Sequence, residues 1–98
     1  MNSERFAELA ALSQQGDKAA LEQLLLLAYT PVSYQCRKLL QNNRMAEAMT
    51  KEILLSVQTQ LHTLNNPDYF EKWLGNLIAR HCMRALSRQP GEKNLPPK

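Results

Sequence analysis

The groups with the chemistry to act as acids, bases, nucleophiles or metal ligands are few, and their spacing does not bring them together. His81 and Cys82 are neighbours, so on a helix they point about 100° apart and cannot chelate one ion. Glu47 and Glu52 are five positions apart, about 140° around a helix, which is no geometry for an acid–base pair. Cys36 and Cys82 belong to no Cys-x-x-Cys pair, which argues against structural zinc. Both read as reduced, mostly buried thiols. No Gly-rich phosphate loop is present. The expectation is a protein that is not an enzyme and uses no cofactor or metal.

A different chemistry is written into the last third of the chain. Lys72, Asn76, Arg80, Arg84 and Arg88 recur at every fourth position. Each step advances a helix by about 400°, so these side chains form one slowly winding stripe. Cations at such spacing can neutralise successive backbone phosphates and release counterions. The bland alternative is a solvated helix face. The charge is nevertheless segregated: residues 1–69 carry six cations against seven acids, and residues 70–98 carry six against two.

A fold must position that stripe. With 98 residues, three Gly and five Pro, and 44% hydrophobic content, the chain suits one small helical domain. Helix-period stripes fall at Phe6, Leu9, Ala10 and Leu12, with Ser3 as a cap, and at Leu21, Leu24, Leu25 and Ala28, continuing through Val32, Cys36, Leu39 and Leu40. Gly16 stops the first helix and Asp17 caps the second. Pro31 predicts a break at Thr30-Pro31, giving two collinear or bent segments with Thr30 as the cap. Asn42-Asn43 marks a turn. A third helix follows from Arg44 to Thr63, with Ala46, Met49, Ile53, Val57 and Leu61 inward. After the loop Leu64–Asp68, Asn66 caps a fourth helix that begins at Pro67 and ends at Ser87. Its inward stripe is Phe70, Trp73, Leu74, Leu77, Ile78, His81 and Ala85. Gly75 within it would be explained by a close backbone contact. The prediction is an all-α, compact bundle of four to five helices over residues 1–88, with a flexible linker or tail at 89–98. The longest apolar run, Leu24–Tyr29, is far short of the ~18 residues that a membrane span needs. With no apolar signal core at the start, a cytoplasmic protein is expected.

Three segments together resemble a known family. Met45-Ala46-Glu47-Ala48-Met49-Thr50-Lys51-Glu52-Ile53-Leu54-Leu55-Ser56-Val57 looks like the A-E-D-L-T-Q-E-I-F-L run in the second conserved region of bacterial sigma factors of the extracytoplasmic-function type. Tyr69-Phe70-Glu71-Lys72-Trp73-Leu74-Gly75-Asn76-Leu77-Ile78-Ala79-Arg80 resembles their F-x-x-W-L-x-x-I-A-R-N segment. Gly16-Asp17-Lys18-Ala19-Ala20-Leu21 with Tyr29 and Val32 is similar to their G-D-x-x-A-F opening. The resemblance spans residues 9–88.

It implies a helical domain with two partners. The helix matching residues 46–61 would dock on the clamp helices of the largest subunit of core RNA polymerase, through Glu47, Ala48, Lys51 and Glu52. The helix matching 67–88, with the loop before it, would bind and help melt the promoter −10 element. That loop, which captures an extruded base, corresponds to His62–Asp68; His62 would contact the DNA, and Asn65 and Asn66 would hydrogen-bond the base edge. Lys72, Asn76, Arg80, Arg84 and Arg88 would grip promoter DNA phosphates. An anti-sigma factor is a further possible partner. The family's acid after A-E is Ala48 here, and its glutamine before Glu52 is Lys51. Those departures motivate an alternative, a sigma-like module that engages a protein partner without promoter recognition. A third reading is a plain structural bundle.

Overall fold

Gly16 adopts a left-handed backbone, φ +97°, which a Cβ disfavours, and the first helix stops there. The Gly16 N–H donates to Ser13 O (3.0 Å) and the Asp17 N–H to Leu12 O (3.1 Å), the paired bonds of a Schellman ending. Asp17 then caps the next helix, its carboxylate accepting from Ala20 N at 3.0 Å. In the computed structural model, which describes residues 3–87, these signals separate α1 (Ser3–Gln14) from α2 (Lys18–Leu40). Asn42 caps α3 (Asn43–Gln60) by accepting from Met45 N at 2.9 Å. Two 3-10 turns, Leu61–Thr63 and Pro67–Tyr69, lead into α4 (Phe70–Ser87). The described residues therefore form an all-α fold of four helices, without a strand. The expected tail at 89–98 and the last cation of the stripe, Arg88, lie outside the described residues.

α2 is one continuous helix, not two. An interior proline costs a helix about 3 kcal/mol. Buried residues on both sides of Pro31 offset that cost: Leu24 and Ala28 before it, Val32 and Cys36 after it, each with no exposed surface. Thr30 is accordingly an interior helical residue and caps nothing. Ala20, Leu24, Ala28, Val32, Cys36 and Leu40 are all buried at a strict four-residue repeat. Such a repeat drifts about 40° per step. The buried face thus winds around α2, which lets one helix pack against α1, α3 and α4.

Several side chains depart from the expected pattern. Ser3 is helical, and its hydroxyl donates across the bundle to Glu71 Oε1 at 2.7 Å. Leu12 and Leu39, expected inside, are 38% and 47% exposed. Trp73 and His81 are half-buried at the margin of the core. The third helix yields to a 3-10 turn after Gln60, and Pro67 opens a 3-10 turn rather than α4 itself. No atom lies within 4 Å of where a Cβ on Gly75 would stand, so no close backbone contact accounts for that glycine. It lies in an open groove of about 380 Å³ with Phe6, Pro31, Leu39, Leu74 and Ile78. No helix among the described residues is long and apolar enough to cross a membrane.

Candidate nucleic-acid interface

Phe70 sets the position of α4. It is 1% exposed, and its ring lies 5.3 Å from that of Phe6 and 5.7 Å from that of Trp73. Leu74, Ile78 and Cys82 continue its buried ridge at four-residue steps. Lys72, Asn76, Arg80 and Arg84 each follow one of these buried residues by two positions, about 200° around the helix. Lys72 and Asn76 lie opposite the core, but the basic ridge winds toward it further along α4: Arg80 and Arg84 follow the buried Leu77 by three and seven positions, about 60° and 20° from it around the helix. All four of its members are exposed.

The charges of this ridge are not neutralised within the fold. Among the described residues the one ion pair is Arg5–Glu8, on α1. Glu71, the acid closest in sequence to Lys72, is about 100° from it around α4 and accepts the Ser3 hydroxyl of α1. Asp68 and Glu71 lie near Lys72 in sequence, yet none of Lys72, Arg80 and Arg84 forms an ion pair among the described residues, and their cations remain available to a polyanion.

At its start the ridge runs into an open groove of about 520 Å³, lined by Thr63, Leu64, Asn65, Asn66, Tyr69, Lys72, Trp73 and Asn76. Of the loop residues expected to contact DNA, Asn65 and Asn66 line it. His62 is exposed on the preceding turn and is not part of the lining. Asn66 also has a structural duty, its side-chain oxygen accepting from Asp68 N at 3.0 Å. Sequence reasoning missed Tyr69, which is 62% exposed, and placed Trp73 in the core. The readable signal was their spacing: two aromatics four apart, interleaved with Lys72 and Asn76. Aromatic faces stack on nucleobases, and amide groups hydrogen-bond to their edges.

On α3, Glu47, Ala48, Lys51 and Glu52 are all exposed. They do not form one flat patch. Glu47 turns toward α2, in a cleft with Tyr29, Ser33, Arg37 and Asn43. Glu52 borders a cleft with Leu55, Ser56, Thr59 and His81 between α3 and α4. The missed residue is Leu55, which is 60% exposed among these charged neighbours. An apolar residue on the polar side of a helical period was the sign.

His81 joins the two helices. Its Nδ1–H donates to Leu77 O (2.9 Å), so in the neutral ring Nε2 accepts the Ser56 hydroxyl at 3.2 Å. This is the hydroxyl–imidazole contact of a nucleophilic dyad. Ser56, however, sits inside α3, where the surrounding N–H groups are committed to the helix, leaving no donors aimed at an oxyanion. Nor do the described residues hold any group of three or more His, Cys, Asp or Glu side chains suited to a metal ion. Compared with known proteins, the chain matches no family model, no curated protein and no solved structure.

Proposed function

We propose that the chain is a sigma-type promoter-binding domain, in which α4 and the loop before it hold the single strand of a −10 element while α3 docks on core RNA polymerase. The observation that carries this reading is the junction of a basic ridge without ion pairs and an open groove lined by aromatic and amide side chains. Phosphates would lie along Lys72, Arg80 and Arg84, and one base would enter between Tyr69, Trp73 and the Asn65-Asn66 loop. The ordered sequence motifs on α3 and α4 support the same reading. The test is binding of a fluorescent −10-type single strand across a salt series. Arg80→Glu with Arg84→Glu is expected to abolish binding at moderate salt. Milder Ala variants keep binding measurable, and each phosphate-neutralising cation removed should flatten the log–log salt dependence by about 0.7. Equal affinity and slope for the double Glu variant and the parent would refute the assignment.

The exposed Leu55, set among Ala48, Lys51 and Glu52, supports a second reading in which α3 engages another protein, of anti-sigma type, and no promoter is bound. Core polymerase distinguishes the two. Tight binding by the parent chain favours the first. Absent binding that Ala48→Asp with Lys51→Gln restores favours the second.

A further inference from the structure

The loop between α3 and α4 is built from local bonds. Leu64 N donates to Leu61 O (3.0 Å), Tyr69 N to Asn66 O (2.9 Å) and the Thr63 hydroxyl to Gln60 O (2.7 Å). Short 3-10 turns held this way are weakly restrained on their own. Among the described residues, one side chain hydrogen-bonds to them from across the bundle. Gln14, in the last turn of α1, donates its amide to Leu61 O at 2.9 Å and to Leu64 O at 2.8 Å. A carbonyl only accepts, so both bonds fix the same amide orientation, one N–H to each oxygen. Leu61 and Leu64 are themselves anchored, 5% and 7% exposed. The residues that follow directly are Asn65 and Asn66. At the other end of the loop, Phe6 of α1 packs on Phe70. Thus α1 grips both ends of the segment that carries the groove's amides, with Gln14 at its first end.

We infer that Gln14 is a positioning residue for the nucleotide-facing loop: it touches no strand, and it holds the backbone from which Asn65 and Asn66 meet a base. The inference rests on the reading under Proposed function. An ordered loop binds without the entropy loss of ordering it, so removing the clamp weakens binding although every group that meets the strand is still in place. Gln14 is exposed as a residue and lies outside the hydrophobic core, and a thermal melt of each variant separates a loop effect from a loss of global stability.

The test compares Gln14→Met, which keeps length and removes both donors, with Gln14→Glu, which turns a carboxylate toward two carbonyl oxygens. Each is measured for affinity to the same fluorescent single strand, for salt dependence, and for amide hydrogen exchange at Asn65 and Asn66. Gln14→Met is expected to bind about five- to tenfold more weakly, with an unchanged salt slope and faster exchange at those amides. Gln14→Glu is expected to bind more weakly still. Arg80→Ala with Arg84→Ala should do the reverse, flattening the slope and leaving loop exchange alone. If the parent chain binds and Gln14→Met binds within twofold of it, or if loop exchange is unchanged, the positioning role is wrong. If the parent chain does not bind the strand, the promoter reading itself fails and takes this role with it.

Discussion

The sulfurs of Cys36 and Cys82 lie 3.8 Å apart inside the bundle, the Cys82 S–H donating to Cys36 across the contact between α2 and α4. Both residues are buried and both are free thiols. Burial first, and then Cys36, push the Cys82 thiol up from its ordinary 9.0 to about 12. Two consequences follow for this pair. The thiolate is the reactive form, so alkylation by iodoacetamide near neutral pH should proceed at the rate of structural opening, at least about 100-fold slower than in urea. The folded state also keeps the Cys82 proton in a window where the unfolded chain has released it. The unfolded state then binds fewer protons, and stability falls as pH rises from about 9 to about 12. Urea midpoints measured through that window for the parent chain and for Cys82→Ala isolate the effect, since the variant lacks that share of the slope.

Phe70 joins α1, the loop turn and α4. Truncating a fully buried Phe to Ala costs about 3–5 kcal/mol, a large part of the roughly 5–15 kcal/mol that holds a typical domain together. Phe70→Ala is expected to be largely unfolded at 37 °C. Phe70→Leu, which keeps most of the volume, should lower the urea midpoint and still fold. Circular dichroism across a urea series measures both.

Gly75 is an interior helical glycine with open space around it. Alanine there removes backbone entropy from the unfolded chain and meets nothing in the folded one, so Gly75→Ala should stabilise by about 0.5–1 kcal/mol. Gly16→Ala should go the other way, because the left-handed backbone at position 16 strains any Cβ. Thermal melts of the two variants should shift in opposite directions.

Tyr69 is mostly exposed and lines the open groove beside the basic ridge. Base stacking on such a ring contributes about 1–3 kcal/mol. Tyr69→Ala is expected to weaken binding of a −10-type single strand by about five- to 150-fold with a melting temperature close to the parent's. Tyr69→Phe should retain most of the affinity. Fluorescence anisotropy and a thermal melt, run on the same preparations, check the pair.

Much of the fold was legible because it follows from local chemistry. Gly16, Asp17, Asn42 and Asn66 satisfy or end helices through bonds to residues within five positions, and that range is visible in a sequence. The four-residue repeat of Lys72, Asn76, Arg80 and Arg84 likewise fixes which side of α4 they share. Pro31 misled because its penalty is local while its compensation is not: the buried surfaces that carry α2 through it pack on other helices. Leu12 and Leu39 misled for a related reason. A helical period says which residues align, but not where a neighbouring helix stops covering them.

The sequence by itself determined the helical class, the caps at Asp17, Asn42 and Asn66, the stop at Gly16, and that a row of cations lies along the last helix. These depend on backbone geometry and on side chains a few residues apart. Only the tertiary structure decided what meets across the bundle. It brought Cys36 against Cys82, turned Trp73 to the edge of an open groove, set Tyr69 beside Lys72 and Asn76 in its lining, and carried Gln14 to two carbonyls of the loop. Most of these meetings join residues far apart in the chain, and their geometry is set by how whole helices pack, a quantity that no local spacing contains.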